Sequence, residues 1–135
     1  MSDDLYQERI VALAKAKTGA GKLTAPTKSA RRDNPLCGDC VTIDVRLDGQ
    51  GRIAEIAHQV RGCLLCQASA SALASVAVGR DKAGISDVRH DAERAIGREE
   101  GEAAEPFSAF TPLKNHKARH ECVLLPFEAL ADALS

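Results

Sequence analysis

The chain has 135 residues, of which 44% are hydrophobic and 27% are charged, and its formal net charge at pH 7 is -1. This length suits one domain, residues 1–135, with a core of its own. The near-neutral charge, with one Tyr, three Phe and no Trp, argues against nucleic-acid binding, which relies on a basic excess and on stacking aromatic rings. The absence of a long apolar run and the charged start argue against a membrane span and a signal peptide. We therefore expect a soluble cytoplasmic protein that binds neither nucleic acid nor membrane.

The first part of the chain predicts a helix followed by a less regular segment. Asp3 or Asp4 can cap a helix that runs to about Lys17, with an apolar stripe that includes Ile10 and Leu13. Residues 24–32 are polar and contain Pro26, so they suit an edge strand or a loose arm.

A β-hairpin is the clearest structural prediction. Residues 41–47 alternate apolar and polar side chains, residues 48–51 supply a turn, and residues 53–60 return with Ile56, His58 and Val60 on one face. We interpret His58 as a core residue rather than a metal ligand, because it lies on the apolar face of this strand.

Helices are predicted after the hairpin. An Ala/Ser-rich helix spans residues 63–78 and ends at Gly79, and a second helix spans residues 86–96 with Ser86 or Asp87 as its cap. Residues 97–106 are acidic and read as a solvated linker, followed by a short helical turn at 112–118. The last helix spans 122–134, with Pro126 in its first turn. The pattern indicates an α+β fold in which an antiparallel sheet of about three strands has helices packed on one side.

The cysteines point to metal or sulfur chemistry. The chain has five of them, four in two C-x-x-C pairs and one far downstream: Cys37, Cys40, Cys63, Cys66 and Cys122. An odd count without a signal peptide suits a reducing compartment better than a secreted disulfide framework.

Local geometry predicts which of these thiols meet. In an extended chain Cys37 and Asp39 point the same way, whereas Cys40 points elsewhere. Cys63 and Cys122 each lie at a predicted helix start, where the helix dipole favours a thiolate. Three thiolates and one carboxylate can thus converge, and such a set suits zinc or the iron of an iron-sulfur cluster. Asp39, as an oxygen ligand, would make the site exchangeable.

The motif N-P-x-C-G-D, the hairpin, the G-C pair that heads a small-residue helix and the Cys that opens the last helix together resemble the U-type iron-sulfur cluster assembly scaffolds. This is the family of IscU, SufU and the NifU N-terminal domain. The long interval before Cys122, and Arg119 three positions before it, are most similar to the SufU-like branch.

The resemblance implies a SufE/NifU-like fold and a scaffold or carrier rather than an enzyme. It assigns Cys37, Cys63 and Cys122 as ligands of a [2Fe-2S] cluster or of zinc. Asp39 would keep the cluster labile, and Cys122 is a candidate persulfide acceptor. The implied partners are a pyridoxal-phosphate-dependent cysteine desulfurase, which donates sulfur, and apo iron-sulfur acceptor proteins.

The chain also departs from the family pattern. The L-P-P-V-K motif by which the Isc branch engages its chaperone is absent, and residues 111–114 read T-P-L-K instead. Glu121 precedes Cys122 where the Isc branch has a His, so His120 lies one position further from the thiol. Cys40 and Cys66 are additional to the family pattern.

Three other functions fit the residues to different degrees. One is a zinc-dependent sulfurtransferase that relays sulfur from the desulfurase. Another is a structural zinc ribbon that uses Cys37, Cys40, Cys63 and Cys66. However, the two pairs are 22 residues apart, whereas ribbons usually have about 15–20, and the second pair opens a helix. A dithiol oxidoreductase is least favoured, because no thioredoxin-like βαβ pattern surrounds either pair.

Overall fold

A three-stranded antiparallel sheet forms one layer of the protein. The structure, a computed structural model, describes residues 2–35 and 38–135, with side chains described from residue 8 onward. The strands are β1 (Lys28–Asn34), β2 (Asp39–Leu47) and β3 (Ile53–Arg61), in the order β1-β2-β3. The predicted hairpin is therefore confirmed, and the polar segment before it contributes an edge strand.

The alternation of residues along β2 decides which face of the sheet is covered. Val41, Ile43 and Val45 are fully buried, whereas the residues between them are partly exposed. At the turn, the Asp48 side chain accepts hydrogen bonds from the backbone amides of Gln50 and Arg52, at 2.8 and 3.0 Å. These bonds hold the turn that connects β2 to β3. The two strands therefore pair in a fixed register, and the buried face of β2 continues onto β3.

Helices cover this buried face. They are α1 (Ser2–Ala16), α2 (Leu64–Ala77), α3 (Lys82–Ala95) and α4 (His120–Leu134). α4 packs on β1 and β2, α2 packs on β3 and on α4, and α1 packs on α2. The predicted α+β class with helices on one side of a three-stranded sheet is confirmed. Among the helices that the structure describes, none is long and apolar enough to cross a membrane.

Two helix starts differ from the prediction. α3 begins at Lys82 rather than at 86, because the Asp81 side chain caps it by accepting the backbone N–H of Gly84 at 2.9 Å. α4 begins at His120, so Pro126 lies inside the helix rather than in its first turn. A 3₁₀ helix, Phe107–Asn115, replaces the short turn predicted at 112–118.

The acidic segment after α3 forms no helix or strand and is largely exposed, as predicted for a solvated linker, and it also makes specific contacts. The Arg9 guanidinium donates to the Glu105 carboxylate at 2.7 Å, which joins this segment to α1. Glu99 pairs with His90 on α3.

The free edge of β3 is covered by the loop that follows α1. The His58 amide donates to the Gly19 carbonyl at 2.8 Å, and its ring Nε2 donates to the Thr18 carbonyl at 2.7 Å. Its Nδ1 is buried with no hydrogen-bond partner in the described part of the chain. Burial lowers the pKa of this imidazole, so it stays neutral. His58 is therefore a core residue, as expected.

Candidate metal centre

Asp39 lies at the start of β2, where its side chain points into the protein with 3% of the residue exposed. Its Oδ1 accepts the backbone N–H of Cys63 at 3.0 Å, and its Oδ2 lies 3.4 Å from Cys63 Sγ. One carboxylate therefore joins the start of the hairpin to the start of α2.

Gly62 makes this approach possible. A Cβ atom at position 62 would lie 2.4 Å from Asp39 Oδ1 and 2.6 Å from its carboxyl carbon, which is closer than non-bonded atoms can approach. A side chain at position 62 would displace the carboxylate. We did not identify this role of Gly62 from the sequence, although a glycine directly before a candidate ligand was a signal for a close approach.

Cys63 occupies the N-cap position of α2 and is half-buried. A hydrogen bond from the Cys122 thiol lowers the pKa of Cys63 to about 6, and the Cys66 backbone amide acts in the same direction. Burial and the Asp39 carboxylate oppose this effect by raising the pKa. The lowered pKa favours the thiolate form of Cys63, which is the direction expected for a thiol at a helix start.

Cys122 lies in the first turn of α4 and is 2% exposed. The helix that carries it is joined to α2 by a buried hydrogen bond in which the Ser69 hydroxyl donates to the Val123 carbonyl at 2.5 Å. The two helix starts that hold Cys63 and Cys122 are therefore fixed relative to each other.

His120 orients the start of α4 and lies outside the ligand set. Its Nε2 donates to the Leu113 carbonyl at 2.8 Å, and its Nδ1 accepts from Arg98 Nε at 3.4 Å. Arg98 also donates to the Glu121 carboxylate at 3.1 Å. Because both ring nitrogens are engaged, His120 has no nitrogen free for a metal in this arrangement. Arg98 was missed by sequence reasoning, since no local pattern connects residue 98 with residue 120.

The ligand atoms of Asp39, Cys63 and Cys122 all lie within 4.8 Å of one another. Thiolates bound to a tetrahedral zinc at about 2.3 Å lie about 3.8 Å apart, so small side-chain movements would bring these atoms to metal-binding distances. Three of the four predicted ligands are therefore brought together. The fourth, Cys37, lies outside the described residues; Gly38, which follows it, has φ +75°, a left-handed conformation that favours glycine.

A groove of about 540 Å³ lies beside Cys63, between α1, the start of α2 and the segment before α4. Most of its lining is apolar, with His116 and Arg119 as the polar members: Ile10, Val11, Cys63, Leu64, Leu65, Leu113, His116 and Arg119. Both polar side chains are exposed, and Lys114 and Lys117 on the same segment are exposed as well. Cys63 therefore lines a groove whose polar rim is formed by exposed side chains of this segment.

The remaining two described thiols lie away from this centre. Cys40 points to the outer face of the sheet, where a hydrogen bond with Asp33 and burial raise its pKa. Cys66 is fully buried in α2 as part of the core. Neither belongs to a group of converging ligand atoms among the described side chains. The described thiols therefore do not support the four-thiolate zinc ribbon.

Two proteins are similar to this chain in sequence. The iron-sulfur cluster assembly scaffold protein IscU of Thermotoga maritima is 29% identical over 133 residues, which is 96% of this chain and 92% of that protein. The bifunctional protein NifU/MnmA of Rubrobacter xylanophilus is 32% identical over 93 residues, 68% of this chain, and this alignment spans 19% of that longer protein.

Solved structures share the fold. FiSufU, described as a scaffold protein for the SUF system of Fervidobacterium islandicum AW-1, superimposes with a TM-score of 0.87 at 29% identity, with 100% of each chain covered. The N-terminal part of a NifU-like protein from Brucella abortus superimposes with a TM-score of 0.85 at 32% identity, covering 98% of this chain and 93% of that one.

The family model described as NifU-like N terminal domain matches residues 5–105, which include the start of β2 and all of α2. The sequence match, the shared fold and the converging Asp39, Cys63 and Cys122 agree. The chain therefore belongs to the NifU-like N-terminal domain family of iron-sulfur cluster assembly scaffolds.

Proposed function

We propose that this protein assembles a [2Fe-2S] cluster on Cys37, Asp39, Cys63 and Cys122 and passes it to apo iron-sulfur acceptor proteins. The observation that carries this proposal is the convergence of Asp39, Cys63 and Cys122 within 4.8 Å at the edge of a groove. A thiolate-rich set suits iron-sulfur iron. The single carboxylate is a harder ligand, so it releases this soft cargo more readily than a fourth thiolate would.

Sulfur reaches the site from a pyridoxal-phosphate-dependent cysteine desulfurase that carries it as a cysteine persulfide. Cys63 lines the groove and its lowered pKa favours the thiolate form, whereas Cys122 is buried. The Cys63 thiolate attacks the outer sulfur of the donor persulfide, a new S–S bond forms on Cys63, and the donor cysteine leaves as a thiolate. Cys122 Sγ then attacks that outer sulfur, the S–S bond on Cys63 breaks, Cys63 leaves and takes up the proton that Cys122 gives up, and the persulfide stands on Cys122, the expected acceptor.

Conversion of this sulfur into a cluster requires electrons. Each sulfane sulfur takes up two electrons to become sulfide, so two sulfur atoms need four. Two ferrous ions that become ferric supply two of them, and an external reductant such as a dithiol supplies the other two. The chain's own residues hold the donor atoms in place during these steps: the Cys63 amide and Gly62 position the Asp39 carboxylate, and Ser69 holds α4 against α2.

The second candidate function is a zinc-dependent sulfur relay. The Cys63 thiolate, which lines the groove, favours this relay as well. A zinc-anchored site with an accessible thiolate can accept persulfide sulfur and pass it on without building a cluster. The exposed cations Lys114, Lys117 and Arg119 near the groove suit an acidic donor surface in either case.

One experiment tests both functions. Protein purified without oxygen is analysed for iron, zinc and acid-labile sulfide before and after incubation with ferrous iron, cysteine, a dithiol and a cysteine desulfurase. The variants are Cys122→Ser and, as a matched control, Cys40→Ser, whose thiol lies on the outer face. Peptide mapping of trapped persulfides reports where the sulfur arrives.

The scaffold function predicts about two iron and two sulfide per chain in the wild type and in Cys40→Ser, and neither in Cys122→Ser. Zinc alone, lost in Cys122→Ser and accompanied by faster desulfurase turnover in the wild type, supports the relay instead. Metal that survives the loss of Cys122 but not the loss of Cys40 would contradict both the scaffold and the relay functions. It would support the structural zinc ribbon instead. In either sulfur-accepting function, Cys122→Ser still carries persulfide on Cys63.

A further inference from the structure

A second group of metal-ligating side chains lies at the end of α3. His90 and Glu93 are three residues apart on this helix and so share a face. The chain then turns at Gly97, which has φ +83°, and the Arg98 amide donates back to the Glu93 carbonyl at 2.8 Å. This turn returns Glu99 to the helix, where its carboxylate contacts His90 Nδ1.

The three ligand atoms of this group lie within 4.8 Å of one another. The ligand atoms of Asp39, Cys63 and Cys122, here called the thiolate centre, lie within the same range. Glu93 and Glu99 are partly buried, with 22% and 32% of their side chains exposed, whereas His90 is exposed at 48%. Arg89 occupies one oxygen of Glu93 at 3.2 Å, and each carboxylate has two oxygens. Arg98, next to Glu99 in sequence, is directed to Glu121 and His120 instead.

We propose that His90, Glu93 and Glu99 bind a divalent transition-metal ion at a site separate from the thiolate centre. One imidazole and two carboxylates form a donor set that suits ions such as Mn²⁺, Fe²⁺ and Zn²⁺, and the harder oxygen donors extend it to ions that thiolates bind poorly. The His90–Glu99 contact uses only two of these groups, and Glu93, which also pairs with Arg89, brings a third ligand atom within 4.8 Å of them. This site uses none of the cysteines, so it stands independently of the proposed function.

Occupation of this site would affect the neighbouring helix through Arg98. A metal ion that holds Glu99 against α3 also holds the adjacent Arg98, which contacts His120 and Glu121 in the first turn of α4. Cys122 follows directly in that turn. The second site is therefore connected to the start of α4 by a single side chain.

The test uses Mn²⁺ alone as the probe, because this hard ion prefers carboxylate and imidazole to thiolate. The electron paramagnetic resonance signal of free Mn²⁺ is followed while the full-length protein is titrated. The variants are His90→Gln and Glu99→Gln. Glu102→Gln serves as a matched control, since Glu102 is an exposed acid of the same segment outside the group. Cys63→Ser removes a ligand of the thiolate centre.

We expect about one Mn²⁺ per wild-type chain with a dissociation constant below ~1 mM. Loss of a ligand in His90→Gln or Glu99→Gln should weaken binding by about tenfold or more, whereas Glu102→Gln and Cys63→Ser should bind as the wild type does. Paramagnetic broadening of amide signals should centre on residues 90–99. Absence of binding at ~1 mM Mn²⁺, equal weakening by Glu102→Gln, or broadening centred elsewhere would each overturn the proposal.

Discussion

Two thiol–carboxylate pairs lie close to each other on β2 but on opposite faces of the sheet. Asp39 faces inward and contacts Cys63, whereas the next residue, Cys40, faces outward and pairs with Asp33 on β1. The pKa of Cys63 is lowered to about 6, and the pKa of Cys40 is raised. A carboxylate beside a thiol is thus common to both pairs and does not explain the difference.

The difference comes from what else surrounds each sulfur. Cys63 receives a hydrogen bond from Cys122 and lies at the start of α2, near the Cys66 backbone amide, so its thiolate is stabilised. Cys40 lies in a strand, where the hydrogen bond with Asp33 and burial both favour the neutral thiol. A second thiol and a helix start, rather than the carboxylate, therefore lower the pKa of Cys63 in the inner pair, Asp39 and Cys63, whereas the outer pair, Asp33 and Cys40, has neither among the described side chains.

The largest effect should follow removal of that second thiol. In metal-free protein we expect Cys63 to be alkylated with a midpoint near pH 6, since its pKa is lowered from 9.0 to about 6. Cys122→Ala removes the leading cause of this lowering, so the midpoint should move upward and the rate at pH 7 should fall roughly tenfold or more. Rates of iodoacetamide labelling against pH, resolved by peptide, measure it.

Cys40→Ala is the control for this measurement, because the Cys40 thiol is on the outer face. It should leave the Cys63 profile unchanged. An unchanged midpoint in Cys122→Ala would show that the helix start alone sets the acidity of Cys63.

A smaller effect is expected when the carboxylate of the inner pair is displaced. In Gly62→Ala the new Cβ would lie 2.4 Å from Asp39 Oδ1, so the carboxylate must move and lose its bond to the Cys63 amide. We expect a loss of about 1–3 kcal/mol in the free energy of unfolding, with weaker zinc binding. Urea denaturation and a zinc competition assay measure the two.

Gly49→Ala is the matched control for Gly62→Ala. Position 49 lies in the hairpin turn and has open space where the Cβ would be. Its stability should stay within about 0.5 kcal/mol of the wild type. Equal behaviour of the two variants would contradict the role of Gly62 in positioning Asp39.

The fold was largely predictable because its information is local. The alternation in residues 41–47 and the small residues of 63–78 each determine an element by themselves, and both elements are confirmed. The start of α3 was missed because Asp81 caps it from outside the apolar pattern. The contacts of the acidic segment were missed because Arg9, which binds Glu105, lies far away in the sequence.

The candidate site was predictable in its ligands but not in their surroundings. Residue types and helix starts indicated that Asp39, Cys63 and Cys122 converge, and their ligand atoms do so. The hydrogen bonds of Arg98 to His120 and Glu121 and the buried bond from Ser69 to Val123 depend on how helices pack. Ordinary surface and core residues make these contacts, so no motif marks them.

The smallest effect should come from neutralising each carboxylate in turn, and it separates the two pairs most directly. Asp33 is the leading cause of the raised pKa of Cys40, whereas Asp39 contributes less to Cys63 than Cys122 does. Both substitutions, Asp33→Asn and Asp39→Asn, remove a negative charge that disfavours the thiolate, so both should lower the pKa of the neighbouring thiol. The labelling midpoint of Cys40 in Asp33→Asn should move further than that of Cys63 in Asp39→Asn. The reverse order would mean that Asp39, rather than the second thiol and the helix start, controls the inner site.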